Sequence, residues 1–177
     1  FFQKIGKCTY EQWKSGEGKD HGNERVLEAK QVVVMSWKTF EEQAAELAEF
    51  VKTRLHNKVA YLATIRKDGS PRVHPFTPII GEGHFFVFME PTSPKGHDLR
   101  RDGRYAVHCS VSDTSGESGE VIVTGTAKFI EDSEVRAQAV RVCPYQPAER
   151  YILFELEIEH VLITEYGDTG TIRRQWK

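Results

Sequence analysis

Residues 92–104 (TSPKGHDLRRDGR) combine the residue types that bind an anion at the start of a helix. Ser93 is a favourable N-cap residue, and Pro94 suits the first helical position. Lys95 adds a full positive charge where free backbone N–H groups and the helix dipole already favour negative charge. The other end of the segment carries residues typical of a helix C-terminus: Arg100, Arg101 and Gly103. The pattern predicts a phosphate site, although an ordinary helical connector can start in the same way.

Arg72 is the second candidate ligand for this anion. It follows the turn signal Asp68-Gly69 and begins a strand that should neighbour the strand preceding the Ser93 helix. In that arrangement Arg72 contributes a bidentate fork and Lys95 a point charge to one dianionic phosphate. The alternative is a solvent-exposed arginine beside a turn, which is the commoner situation.

The sequence predicts neither a catalytic side chain nor a metal site. His74 invites an acid–base role because histidine titrates near neutrality, but a structural strand histidine is the simpler interpretation. The positions of His97 and His108 relative to the cysteines fit no metal-ligand spacing. No Ser-His-Asp arrangement stands out in the sequence. No glycine-rich nucleotide fingerprint follows a predicted strand. Trp176 could cover a ring system or lie at a frayed chain end.

Length and composition exclude several classes of protein. At 177 residues the chain fits one domain that buries roughly 70% of its unfolded surface. The net charge of −2 gives no general attraction to nucleic acid or to an anionic membrane, and no apolar run approaches the ~20 residues of a spanning helix. The three cysteines, Cys8, Cys109 and Cys143, form no Cys-x-x-Cys motif. We therefore expect a cytoplasmic protein that binds neither nucleic acid nor membrane.

Residues 1–34 are interpreted as an N-terminal extension of unknown role. They are polar and rich in glycine, and Met35 is a plausible natural start for a compact domain. The extension could be a strap across the domain or across a partner subunit, or an engineered addition. Residues 35–177 are predicted to form the functional domain.

The order of elements predicts a mainly β protein. Apolar spacing indicates one amphipathic helix over 39–55, opened by a capping box of Thr39 and Glu42. Strands are predicted over 59–65, 72–80, 84–89, 105–111, 120–130 and 151–166, with short helices after residue 93 and over 133–142. Asp68-Gly69 indicates a hairpin turn, and Gly125 a bend. A short segment over 171–176 ends the chain. Short links between the strands favour an antiparallel sheet in a small closed or split barrel.

Residues 35–177 resemble the pyridoxamine-phosphate-oxidase-like family of flavin-binding proteins. The matching pieces stand in the family's order: an N-terminal helix, residues 58–75 (KVAYLATIRKDGSPRVHP), residues 84–108 (HFFVFMEPTSPKGHDLRRDGRYAVH), residues 121–132 (VIVTGTAKFIED) and a long late strand. The most specific piece is Ser93-x-Lys95, followed by a helix and an arginine before the next strand. The resemblance implies a six-stranded antiparallel split β-barrel with flanking helices.

The resemblance also implies a homodimer with two cofactors at the subunit interface. FMN is the usual cofactor, and some relatives bind the deazaflavin F420, FAD or haem. By position, Arg72 and Lys95 match residues that hold the FMN phosphate, and Ser93 matches a further phosphate contact. Trp176 matches a tryptophan contributed across the dimer. The strand segment whose backbone lines the isoalloxazine ring corresponds to Val73, His74 and Pro75.

The chain departs from the true pyridoxamine phosphate oxidases. Those enzymes carry a lysine on the same strand as the arginine, at a position that Thr77 occupies here. Their Tyr/Arg/Ser cluster for the substrate phosphate and their C-terminal Arg-x-His do not occur in this sequence. The resemblance therefore argues against vitamin B6 oxidation, and residues 97–108 look closer to the branch that includes F420-dependent reductases.

The sequence thus predicts a flavin-dependent oxidoreductase with FMN, or alternatively F420, as its cofactor. A small molecule would serve as substrate or reductant. Hydride chemistry belongs to the flavin, so no side chain need act as a catalyst. Two alternatives stay open: a storage or sensing protein for flavin or haem, and a barrel that serves dimer contacts alone.

Overall fold

The computed structural model describes residues 33–111, 119–167 and 170–177. All but the last two residues of the predicted extension over 1–34 lie outside this part of the chain. The described residues form an eight-stranded antiparallel sheet with flanking helices. The mainly β fold class predicted from the sequence is confirmed, with eight strands instead of six.

The described residues contain four helices and eight strands. The helices are α1 (Trp37–Gln43), α2 (Ala45–Leu55), α3 (Pro94–Arg101) and α4 (Ser133–Val142). The strands are β1 (Ala60–Ile65), β2 (Pro71–Phe76), β3 (Ile79–Gly81), β4 (His84–Met89), β5 (Arg104–Cys109), β6 (Glu120–Ile130), β7 (Ile152–Gly167) and β8 (Gly170–Trp176). None of these helices combines the length and the apolar character needed to cross a bilayer.

The sheet curls back on itself. Its strand order is β2-β1-β5-β6-β7-β4-β3, and β8 pairs with β7 outside this path. The two end strands, β2 and β3, are joined by Thr77 and Pro78 alone. Because the three Cα–Cα steps from Phe76 to Ile79 span at most about 11 Å, the two ends of the sheet must come close together. The helix α3 lies beside β2 at one end of the sheet, where Lys95 contacts Pro75, and beside the end of β4, where Gly96 lies next to Met89.

Two local features account for the two additional strands. The predicted strand over 72–80 divides at Thr77 and Pro78 into β2 and β3, because proline cannot donate a ladder hydrogen bond. The short segment predicted over 171–176 pairs with β7 along its whole length and forms β8. The predicted hairpin turn is confirmed: Gly69 adopts a φ of 83°, and its N–H bonds the Arg66 carbonyl oxygen at 2.9 Å.

The N-terminal helix differs from its prediction in two respects. It begins at Trp37, and the capping residue is Ser36, whose hydroxyl accepts from the Thr39 N–H at 3.2 Å. The predicted capping box of Thr39 and Glu42 is therefore wrong. The predicted single helix over 39–55 is also divided, because Ala44 adopts a non-helical conformation, with a φ of −146° and a ψ of 58°, between α1 and α2.

Both helices bury apolar side chains in the main core. Trp37 and Phe40 of α1 are at most 1% exposed, and Val51 and Leu55 of α2 are fully buried. They pack with the alternate residues of β1, β5, β6 and β7 that face inward. A smaller cluster lies under α4 and consists of Ile79, Phe86, Phe88, Ala139 and Leu153.

His56, at the end of α2, makes the stability of the fold dependent on pH. Its Nδ1 atom accepts the Ile80 N–H at 3.1 Å, which requires a neutral ring. Burial, and secondarily the Lys52 ammonium, lowers the pKa of His56 below its usual 6.5. The unfolded chain then binds this proton more readily, so stability is retained above pH ~6.5 and lost as the pH falls below it.

We expect His56→Gln to reduce this acid sensitivity. The measurement is the loss of unfolding free energy between pH 7.5 and pH 5.5 in urea, compared with the wild type. His97→Gln is the control, because His97 is exposed. An unchanged loss in His56→Gln contradicts the assignment.

Candidate functional site

The N-terminus of α3 leaves two backbone donors free. Ser93 occupies the N-cap position, as predicted, but its hydroxyl makes no capping hydrogen bond. The first intrahelical bond runs from the His97 N–H to the Ser93 carbonyl oxygen at 3.1 Å. Pro94 has no N–H, and among the described residues the N–H groups of Lys95 and Gly96 have no acceptor. An anion is the partner that such a helix end favours.

Lys95 adds a half-buried ammonium beside these donors. Its Nζ atom lies 3.3 Å from the Pro75 carbonyl oxygen, and burial lowers the pKa of this lysine. Within the described part of the chain, no carboxylate lies within 4.0 Å of that ammonium. A bound anion would both supply the missing counter-charge and restore the pKa.

A cavity of about 350 Å³ opens beside Lys95. We call it the Lys95 pocket; its lining residues are Phe88, Met89, Glu90, Ser93, Lys95, Tyr145 and Tyr151. Its one lining carboxylate, Glu90, is already paired with Arg150, whose Nε lies 3.0 Å from both carboxylate oxygens. The pocket therefore offers an unpaired cation together with hydroxyl and backbone donors.

The edge of β2 next to Lys95 is an open row of backbone groups. Tyr61 of β1 stands opposite Pro75, which has no N–H to give to the ladder. Lys95 contacts the Pro75 carbonyl oxygen, so this carbonyl points away from β1. Residues two apart in a strand point their backbone groups to the same edge. The N–H and C=O of Val73 therefore also face this open edge.

Arg72 is bound to α3 at a different point. Its Nε donates to Oδ2 of Asp98 at 2.7 Å, and its side chain is 23% exposed. It lines a separate opening of about 510 Å³, which we call the Arg72 cleft. The residues that line this cleft are Arg66, Lys67, Asp68, Arg72, Asp98 and Arg101. The structure therefore brings Arg72 and Lys95 to the same α3–β2 junction but into two openings. That both hold one phosphate stays a prediction.

Asp98 is a buried carboxylate at the α3–β2 junction that the sequence did not single out. It is 3% exposed and accepts from the Arg72 Nε, from the Thr64 hydroxyl at 3.0 Å and from Arg101 at 3.1 Å. Burial alone would raise the pKa of Asp98, but the hydrogen bonds from Arg72, Arg101 and Thr64 outweigh it and lower the pKa. Tyr145 and Tyr151 were also missed, because they come from the α4–β7 connection. Only a three-dimensional arrangement reveals these contacts.

The C-terminal end of α3 corrects one prediction. The helix ends at Arg101 with Asp102 as an extended C-cap, so Gly103 does not close it. Gly103 instead permits a close approach: an added Cβ would lie 2.9 Å from the Ala127 carbonyl oxygen. Arg100, placed at this end as predicted, lies with its guanidinium 4.0 Å from the centre of the Phe129 ring.

The remaining predicted site residues lie on different surfaces. His74 is half-buried and shares a face of β2 with Arg72, whereas Val73 and Pro75 are exposed on the opposite face. Trp176 is 9% exposed; its indole N–H donates to the Gln43 side chain at 3.2 Å. The structure thus places Trp176 against α1 of its own chain. Its contact with a cofactor across a dimer stays a prediction.

Two rows of paired residues on the outward-facing surface of the sheet contain no Asp, Glu, Lys or Arg. We call these rows the outer sheet face: Pro75, Tyr61, His108, Ile122 and Leu162 in one row, and Val73, Ala63, Ala106, Thr124 and His160 in the other. Val73 is 60% exposed and Tyr61 44% exposed. Exposed apolar side chains such as Val73 and Tyr61, on a face without permanent charge, are typical of a surface that another molecule covers.

Among the described residues, no group of three His, Cys, Asp or Glu side chains is arranged to hold a metal ion. Residues 43–164 match the pyridoxamine 5'-phosphate oxidase family. The chain belongs to this family. The match includes β2, α3 and the residues that line the Lys95 pocket and the Arg72 cleft.

Solved structures share this split-barrel fold at low sequence identity. A NimC/NimA family protein from Clostridium acetobutylicum is 16% identical with a TM-score of 0.61; the match covers 78% of this chain and 96% of that one. A heme binding protein from Mycobacterium smegmatis is 20% identical with a TM-score of 0.59, covering 74% of this chain and 57% of that one. HutZ, a heme storage protein from Vibrio cholerae, is 19% identical with a TM-score of 0.51, covering 66% and 89%. No curated protein matches the sequence.

Proposed function

We propose that this protein is a flavin-dependent oxidoreductase that binds FMN, with the FMN phosphate at the N-terminus of α3. The observation that carries the proposal is the unpaired Lys95 ammonium beside two backbone N–H groups that have no acceptor among the described residues. A flavin bound there supplies hydride transfer, and the protein supplies position and exclusion of water. A small molecule is the substrate or reductant.

The donors around α3 fit a phosphate monoester. The Lys95 ammonium, the Ser93 hydroxyl and the N–H groups of Lys95 and Gly96 converge on one helix end. Each can donate to a different phosphate oxygen, and a half-buried site makes such charge-assisted bonds stronger than they are in water. Arg72, bound to the same helix through Asp98, adds positive charge at the α3–β2 junction.

The open edge of β2 fits the ring of a flavin. The backbone N–H of Val73 faces this edge, and the exposed side chains of Val73 and Pro75 offer apolar surface beside it. Backbone groups of this kind hydrogen-bond the polar edge of a flat heterocycle while an apolar surface covers its face. This arrangement supports the match of Val73, His74 and Pro75 with the ring-lining segment.

We further propose that the outer sheet face is the contact between two copies of the chain. The face includes Val73 and Pro75, which also border the proposed ring site. A two-fold contact there covers the apolar rows and places each flavin beside the subunit interface. The proposal does not extend to pyridoxamine phosphate oxidation, because Thr77 stands where those enzymes carry a lysine.

The test is the absorption spectrum of the purified protein, alone and titrated separately with FMN, F420 and haemin. We expect FMN to bind with a Kd far below 1 mM, since millimolar affinity corresponds to only about 4 kcal/mol and indicates non-specific association. Tighter binding of F420 than of FMN would mean that F420 is the cofactor. A Soret band with haemin and no affinity for either flavin would contradict the oxidoreductase proposal and favour haem binding.

Two further measurements complete this test. Light scattering should give twice the chain mass of 20.2 kDa. NAD(P)H or reduced F420 should reduce the bound flavin faster than free flavin. A flavin-loaded protein that no such donor reduces would favour the storage or sensing alternative.

A further inference from the structure

We infer that Asp98 is a positioning residue that orients Arg72 toward the cofactor phosphate. This inference rests on the proposed function, and on the prediction that Arg72 and Lys95 hold the same phosphate. Asp98 itself is only 3% exposed, and its carboxylate already accepts hydrogen bonds from Thr64, Arg72 and Arg101. It therefore acts through the groups that it binds.

Asp98 joins three separate elements of the fold. Its Oδ2 atom accepts from Thr64 of β1 at 3.0 Å and from Arg72 of β2 at 2.7 Å. Its Oδ1 atom accepts from Arg101, one turn further along α3, at 3.1 Å. Arg101 also donates to the Ile65 carbonyl oxygen at the end of β1. The carboxylate thereby fixes α3 to the strand pair that forms the open edge.

The contact with Asp98 does not use the two terminal nitrogens of the Arg72 guanidinium. The bond to Asp98 uses Nε, and among the described residues the two terminal nitrogens of Arg72 have no acceptor. These two nitrogens are the pair with which arginine binds a phosphate in bidentate fashion. A long side chain loses rotamer freedom when it binds a ligand, and this loss is smaller when another bond already holds it. Asp98 therefore prepares Arg72 for an anion.

Positioning and simple electrostatics predict opposite results for removal of Asp98. Asp98→Ala deletes a negative charge next to the site, and the loss of that charge alone strengthens the attraction for an anion. Loss of the anchor instead lets Arg72 move away and weakens binding. Because the two effects differ in sign, the direction of the change identifies the role.

The matched control is Asp68→Ala. Asp68 lines the same Arg72 cleft and carries the same charge, but it bonds Ser70 instead of Arg72. Its removal changes the cleft charge by the same amount and leaves the Arg72 anchor intact. We expect Asp68→Ala to bind FMN at least as tightly as the wild type.

The experiment is a double-mutant cycle read by FMN fluorescence titration. We expect Asp98→Ala to weaken FMN binding by roughly tenfold or more, the effect of about one charge-assisted hydrogen bond. In an Arg72→Ala background the same change should have an effect of less than about twofold, or should strengthen binding. Equal or tighter binding by Asp98→Ala, or the same loss in both backgrounds, overturns the inference.

Arg72→Lys tests the inference without removing the buried carboxylate, should Asp98→Ala fail to fold. Lysine has a single nitrogen, so it cannot bond Asp98 through one nitrogen and present two others to the phosphate as arginine does. We expect FMN binding by Arg72→Lys to fall nearly to the level of Arg72→Ala, whereas retention of wild-type affinity overturns the inference. If the wild-type protein does not bind FMN, the proposed function itself is contradicted. Failure of the proposed function is thereby distinguished from failure of the positioning role of Asp98.

Discussion

Lys95→Ala is expected to weaken FMN binding by about 1.5–3 kcal/mol, or roughly 10- to 150-fold in Kd. The substitution removes the one cation of the Lys95 pocket that has no carboxylate partner within reach among the described residues. Because the one hydrogen bond of its ammonium within the described residues goes to a carbonyl oxygen at 3.3 Å, the loss should change the stability of the protein little. Fluorescence titration with FMN measures the first effect, and thermal unfolding without ligand measures the second.

The control for this prediction is Lys67→Ala. Lys67 is an exposed lysine of the Arg72 cleft, and its removal changes the net charge of the protein by the same amount. We expect less than about a threefold effect, since exposed charges are screened by solvent and salt. Equal losses in the two variants would mean that FMN responds only to overall charge, which contradicts a phosphate site at α3.

Gly125→Ala is expected to destabilise the fold by about 3 kcal/mol, at the upper end of the range for overpacking. An added Cβ would lie 1.9 Å from the Glu157 carbonyl oxygen and 3.1 Å from the Ile158 Cα. These are backbone atoms of β7, so β6 and β7 would have to separate at the place where the register shifts between Thr124 and Gly125. Scanning calorimetry should show a melting temperature lower by roughly 6–12 °C.

The matched control is Gly167→Ala near the end of β7. There an added Cβ meets only the Gly170 carbonyl oxygen, at 4.0 Å, among the described residues. We expect its melting temperature to stay within about 2 °C of the wild type, as surface changes of ±0.5 kcal/mol imply. Similar destabilisation by both variants would show that the loss of glycine, and not contact with Glu157, causes the effect.

Local sequence signals were sufficient where one side chain or one turn determines the structure. The strands at 84–89 and 120–130 and the helix at 133–142 have the predicted bounds, because each is limited by turn or capping residues next to it. Gly125 was expected to mark a bend, and the register of β6 and β7 shifts there. Such features depend on residues close in the chain.

Features that depend on distant residues could not be read from the sequence. Thr39 and Glu42 satisfy the capping-box pattern, yet Ser36 caps the helix because Met35, just before it, is bridged to Ile158 of β7. Gly103 resembles a helix C-cap, but its role is the close approach of β6. In both cases a tertiary contact decides between two locally acceptable structures.

In the candidate site, too, the features set by neighbouring residues were predictable and those set by distant residues were not. The type and position of Lys95 and Ser93 predicted an anion site, and the helix that carries them begins at the predicted residue. The sequence did not reveal that Asp98 would hold Arg72, because Asp98 and Arg72 are 26 residues apart and meet only when α3 packs on β1 and β2. The Lys95 pocket and the Arg72 cleft share no lining residue, which the sequence did not reveal either.

The most direct test of the account compares FMN with riboflavin, which has the same ring and no phosphate. In the wild-type protein we predict that FMN binds roughly 100-fold more tightly, as expected for two charge-assisted hydrogen bonds. In Lys95→Ala this ratio should fall to roughly tenfold or less. Equal affinities of the wild type for FMN and riboflavin would contradict a phosphate site at the N-terminus of α3.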